Sequence, residues 1–164
     1  MLLSLDTLCA VRDIPAELYT AIVSILPVTE SRIGIPVGKC LGLPLWESFL
    51  IGVVSNIIGA YLFLLCLPLV IQVMKKIHPK VRVWIEKFLH KTQEKHTKKF
   101  RLYGSLMLTI FVAVPIPGTG AYTGAILAYI FGIGKRTSFL TLSLGILIAA
   151  GIVTLVTAGL ITAF

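Results

Sequence analysis

Two ionisable side chains stand where they are expensive. Glu30 and Arg32 interrupt a mostly apolar stretch, Leu18 to Leu45, inside the run PVTESRIGIP. Charges at membrane depth are kept when they pair, reach water or bind something. Glu30 can carry a proton or attract a cationic substrate. Arg32 can hold an anionic headgroup or serve as the counter-ion of Glu30. The plainer alternative is a local ion pair that closes the turn. A second break, PIPGTG, carries no charge, so its Pro117, Gly118 and Gly120 would contribute backbone N–H and C=O groups from broken helix ends. Thr29 and Thr119 can add hydroxyl ligands, and Asn56 in the following apolar run can hydrogen-bond across helices.

Other candidates carry less. His78, His90 and His96 all sit in one basic segment. There Glu86, His90 and Glu94 share a helix face at i, i+4, i+8, a spacing that could hold a metal. The intermixed lysines favour solvated ion pairs instead, so neither a metal nor a cofactor is expected. Glu47 reads as an interfacial cap for the helix it opens. Cys9, Cys40 and Cys66 lack CxxC spacing and read as packing residues rather than a disulfide framework. No P-loop, GxSxG elbow or HExxH is present, and no catalytic set replaces them, so an enzyme is not expected.

The elements that must position these residues belong in lipid. Of the 164 residues, 57% are hydrophobic and 13% charged, and the mean hydropathy is +0.95. That is too little charge to cover a soluble domain. The net charge of +8 comes from one place. Between Lys75 and Arg101 stand ten bases and two acids, while five bases and five acids balance elsewhere. Basic residues beside apolar spans fit a cytoplasmic membrane flank better than a nucleic-acid surface. Val81, Trp84, Ile85 and Phe88 recur at i, i+3, i+4, i+7 and predict an amphipathic helix in the interface, in contact with anionic headgroups. The N-terminus, with Asp6 and Asp13 and no basic n-region, does not read as a cleaved signal peptide.

Residues 46–74 and 137–163 are each long enough to cross a bilayer. Pro68 is expected to kink the far end of the first. The arms around PIPGTG, about 103–114 and 121–134, cover only ~20 Å each against a hydrocarbon core of ~30 Å. They predict a hairpin that enters and leaves on one side, and PVTESRIGIP predicts the same for the first half. Such turns must face protein or a wet cavity.

Sliding the chain by 90 residues aligns the halves without a gap. Pro27 meets Pro117, Thr29 meets Thr119, Gly34 meets Gly124 and Gly42 meets Gly132; Ser48-Phe49-Leu50 meets Ser138-Phe139-Leu140. Gly34, Gly38 and Gly42, like Gly120, Gly124, Ala128 and Gly132, form small-residue stripes that let helix backbones approach. One hairpin and one crossing per half would invert the second half relative to the first, with Lys135-Arg136 returning to the cytoplasm.

PVTESRIGIPVG and VPIPGTGAYTGAILA, each followed by a long span, resemble the small multidrug export family, and through it the DedA/VTT-type membrane proteins. The likeness covers roughly residues 15–160. The family name implies drug efflux; the wider DedA-like group implies movement of lipid-linked phosphates. DedA-like second hairpins are associated with a base near the proline turn, whereas residues 115–124 here are uncharged.

The expectation is therefore an all-α integral membrane protein of one domain, multi-pass in the cell membrane. Repeat 1 spans about 15–74, the basic segment 75–101 and repeat 2 about 102–164, each repeat a re-entrant hairpin plus one transmembrane helix. Its expected role is transport of a small molecule or lipid-linked phosphate by alternating access; the alternative is a non-transporting structural or regulatory partner of a larger complex. Lipids and the substrate are the expected partners, nucleic acid is not, and a homo-oligomer is compatible with the pattern.

Overall fold

The computed structural model describes residues 14–77, 98–116 and 119–163. Among these, all regular structure is helical: α1 (Ala16–Ile25), α2 (Glu30–Cys40), α3 (Leu45–Ile77), α4 (Lys98–Ala113), α5 (Ala121–Ile130) and α6 (Lys135–Ala163). Most of the basic segment, including the predicted interfacial helix and the Glu86, His90, Glu94 face, lies outside the described residues, as do Pro117 and Gly118.

Proline sets the two breaks. Leu26 precedes Pro27 and is extended (ψ 136°), the conformation that a following proline ring imposes, so α1 stops at Ile25. α4 stops at Ala113, with Val114 before Pro115. The first break is shorter than its sequence predicts. Only residues 26–29 are irregular; ESRIGIP is helical and opens α2, with Pro36 inside the helix. Likewise α3 runs through Pro68 to Ile77. Glu30 and Lys39, in the first and last turns of α2, place each charge at the end of the helix dipole that favours it.

The 90-residue register extends to backbone detail. α2 ends in a Schellman cap: Gly42 N–H donates to Lys39 C=O (3.1 Å) and Leu43 N–H to Gly38 C=O (3.0 Å). α5 ends in the same cap, with Gly132 N–H to Tyr129 C=O (3.1 Å) and Ile133 N–H to Ala128 C=O (2.9 Å). Gly42 (φ 95°) and Gly132 (φ 64°) both take the left-handed conformation the cap requires. The buried hydroxyls of Ser48 and Ser138 then bond back to Pro44 C=O and Ile133 C=O at the start of the long helices.

Each hairpin packs on the long helix of its own half. Between halves, α3 packs on α6, α2 on α6 and α5 on α3. Leu45, Trp46 and Phe49 of α3 share a cleft with Gly151, Thr154 and Leu155 of α6, while Tyr61 and Leu65 lie beside Phe139 and Lys135. The long helices therefore run antiparallel. One core gathers α3, α4, α5 and α6 around Ala60, Leu64, Leu108, Val112, Ala121, Ala125, Leu142 and Ile146; a smaller one joins Ile35, Val53 and Ala150.

Polarity is distributed inside out. Thr20, Ser24, Glu30, Ser31, Ser48, Asn56 and Ser138 are buried. Leu50, Val54, Ile58 and Leu62 form an exposed i, i+4 stripe on α3, and Leu140, Leu144, Leu147 and Leu155 are exposed on α6. The apolar spans Leu45–Val73 and Lys135–Gly159 are only 44% and 28% buried, so they are not core helices of a soluble fold. Exposed apolar stripes on both long helices fit an apolar surrounding.

Two cysteine readings are corrected. Cys40 at the end of α2 is disulfide-bonded, and Cys66 is a free thiol on the exposed side of α3 rather than a packed one.

Candidate functional site

The two breaks meet. Arg32, in the first turn of α2, extends into the second hairpin. Its Nη2 donates to Val112 C=O (3.1 Å) and Thr119 C=O (3.1 Å), and its Nη1 donates to Ile116 C=O. These carbonyls belong to the last turn of α4 and the loop after it, where no further helical N–H is available to pair with them. A guanidinium with five donors in a planar fork suits this arrangement, and its charge lies on the negative end of the α4 dipole.

Glu30 works on the other side of the same break. Its carboxylate lies against Gly120, at the positive end of the α5 dipole, where the backbone N–H groups of Ala121 and Tyr122 act on it. Arg32 Nε lies 3.8 Å from Glu30 Oε2 and has no hydrogen-bond acceptor. The pair from the first hairpin thus caps both broken helices of the second. The reading of a purely local turn-closing pair is too narrow: the partners lie 80–87 positions away.

Two further features mark Glu30. It is 5% exposed, and it sits at φ 51°, the sole non-glycine residue with positive φ among those described. That conformation costs a residue with a β-carbon roughly 1–2 kcal/mol. The position it faces is Gly120, where an added β-carbon would run into the Glu30 carboxylate. Only glycine leaves the room.

The sequence gives no direct indication of Tyr122. Its hydroxyl donates to Ile25 C=O, the last carbonyl of α1, its ring stacks edge-on against Phe63 (5.2 Å between centroids), and Gly59 of α3 leaves space for the hydroxyl. Tyr122 is the residue that the 90-residue register pairs with Arg32, and that register was the available signal. Each half therefore sends one side chain from the same repeat position onto the broken carbonyl end of the other, a guanidinium one way and a phenol the other.

The remaining predicted residues divide. Asn56 Nδ2 donates to Ser31 Oγ (3.1 Å), a buried bond from α3 to α2 next to Glu30 and Arg32, and its Oδ1 is buried without a partner. Thr29 and Thr119 are occupied within their own hairpins. Thr29 donates to Val23 C=O, and Thr119 lies within reach of Val114 C=O (2.8 Å) and Ile116 C=O (2.9 Å). No cluster suited to a metal occurs among the described residues.

The sequence matches a protein family described as "Putative small multi-drug export protein" over residues 30–152, three-quarters of the chain and both halves of the site. No curated protein and no solved structure matches it.

Proposed function

The chain belongs to the small multi-drug export family and is a membrane protein, and from that premise we propose that it exports organic cations through the junction of its two broken hairpins. One observation carries the proposal: Glu30 and Arg32 of one half cap both broken helix ends of the other. A buried, strained carboxylate at the contact between moving halves can bind a cation in one arrangement and release it in another. Its contact with Arg32 is long, at 3.8 Å, so a cationic guest competes with a loose ion pair. A lipid-linked phosphate, which the DedA/VTT-type resemblance implies, is less favoured. It would have to draw Arg32 from three carbonyls, with no second base between residues 115 and 124.

We read the halves as inverted repeats with re-entrant hairpins, working by alternating access in the cell membrane. Antiparallel long helices, identical caps at Gly42 and Gly132, and breaks whose backbone is satisfied by the opposite half support this reading. The disulfide at Cys40 supports an oxidising, outer location for the open end of the first hairpin.

A second reading has its own support. The guanidinium Nη atoms of Arg32 and the Tyr122 hydroxyl all donate to backbone carbonyls of the opposite half, as expected of a purely structural fastening in a membrane protein without transport activity. Proteoliposomes containing the purified chain, loaded with ethidium under an imposed pH gradient, distinguish the two. Export predicts dye flux that Glu30→Gln abolishes while the protein still inserts and elutes as a folded species. A Glu30→Gln/Arg32→Gln double variant with undiminished flux would exclude the junction as the transport site. A drop in thermal stability with no flux in any variant would favour the structural reading.

A further inference from the structure

Two clefts lie between the long helices, and they are equivalents in the 90-residue register. One, of about 430 Å³, has Lys135, Arg136 and Phe139 on α6 facing Ile58, Tyr61 and Leu65 on α3. The other, of about 620 Å³, has Leu45, Trp46 and Phe49 on α3 facing Gly151, Thr154 and Leu155 on α6. Lys135 corresponds to Leu45, Arg136 to Trp46, Phe139 to Phe49, Tyr61 to Gly151 and Leu65 to Leu155. The folds of the two clefts match; their chemistry does not.

Their placement is also fixed. Leu45 and Trp46 of the one cleft open α3, and Lys135 and Arg136 of the other open α6. Because the two helices are antiparallel, the clefts lie toward opposite ends of the pair. The first combines two exposed cations at headgroup level with an apolar floor, Ile58 and Leu65, running toward the bilayer centre. Tyr61 and Phe139 form its wall, edge to face at 5.0 Å between centroids. The second has an exposed Trp46 at the same level and no charge. Trp suits an interface of any headgroup, whereas paired Lys and Arg select a negative one.

We infer that the Lys135/Arg136 cleft is a binding site for one anionic phospholipid, its phosphate between Lys135 and Arg136 and an acyl chain along Ile58 and Leu65. The twin cleft holds lipid without regard to headgroup charge. This site is separate from the Glu30/Arg32 junction and does not depend on transport.

The twin is an internal control. Of the chain's two tryptophans, Trp46 already sits in the neutral cleft. In a Trp84→Phe chain Trp46 reports on that cleft; in Trp46→Phe/Trp84→Phe/Ile58→Trp the new tryptophan reports on the basic one. Both are reconstituted into vesicles of phosphatidylcholine and phosphatidylglycerol, with one or the other lipid brominated as quencher. The expected result is a phosphatidylglycerol preference of about tenfold at position 58 and none at Trp46. Lys135→Gln/Arg136→Gln removes the preference, and a charge-retaining Lys135→Arg/Arg136→Lys chain keeps it. If the neutral double variant fails to insert, about 1 M salt on the unaltered clefts makes the same test by screening. Equal quenching by both lipids at position 58 overturns the proposal. So does a preference that survives Lys135→Gln/Arg136→Gln, which would assign it to the basic segment 75–101. Absence of quenching by either lipid at position 58 also overturns it, because no lipid then occupies the cleft.

Discussion

Glu30 and Gly120 occupy the same position in the two halves of this protein, and they meet: the space a β-carbon on Gly120 would take is filled by the Glu30 carboxylate. These two positions, ninety residues apart, touch where the first hairpin docks on the second. The contact is asymmetric, a charge on one side and a bare backbone on the other, and this asymmetry defines the site.

Gly120→Ala is therefore expected to destabilise the protein by about 1–3 kcal/mol, the usual cost of overpacking. The measurement is thermal unfolding in detergent. Adding Glu30→Ala should make the pair less costly than the sum of the single changes, because the obstructing carboxylate is gone. Strict additivity would mean that the two positions do not touch.

Arg32→Lys keeps the charge but not the fork. An ammonium cannot reach Val112, Ile116 and Thr119 carbonyls together, so a loss of about 1.5–3 kcal/mol is expected from a charged hydrogen-bond set left incomplete. Tyr122→Phe removes the single reciprocal bond to Ile25 and should cost about 1 kcal/mol. Chemical denaturation in mild detergent orders the two variants. Equal effects would contradict the asymmetry of the clasp.

Gly34 and Gly124 are also repeat equivalents, each pressed against its own half. A β-carbon on Gly34 would strike the Ser24 hydroxyl, and one on Gly124 would come within 2.6 Å of Val112 Cγ2 and 2.8 Å of Leu142 Cδ2. Gly34→Leu and Gly124→Leu should each lower the unfolding temperature by an amount corresponding to at least ~1–3 kcal/mol. Variants that melt with the parent would show these glycines facing lipid.

Trp46 and Thr137 begin the two long helices and are both exposed. In a chain whose own cysteines are serine, Trp46→Cys should react with an impermeant maleimide from outside intact cells, and Thr137→Cys only after the membrane is opened. Reaction of both from the same side would rule out inversion of the halves.

Much of this architecture follows from local features that a sequence carries openly. Composition places the chain in lipid, because 13% charge cannot cover a water-facing surface. Prolines at 27 and 115 stop helices by removing donors and forcing the preceding residue extended, an effect confined to neighbours. The matched prolines and glycines expose the 90-residue register. Glu30 and Arg32 stand out because charge in an apolar stretch is costly whatever surrounds it.

What tertiary structure alone decides is what those groups touch. ESRIGIP looks like part of a turn, yet it is helical: packing of α2 on α1 and α3 outweighs the weak propensity of Gly34 and Pro36. Tyr122 looks like an ordinary interior aromatic until the hairpins dock and bring its hydroxyl to Ile25, 97 positions away. The acceptors of Arg32 are backbone carbonyls, which every residue carries, so no pattern of side chains can single out Val112, Ile116 and Thr119. They are selected because they lie in the last turn of α4 and the loop after it, where the helical N–H partners run out. Sequence determines which groups need partners, and the docking of the two halves decides which partners they find.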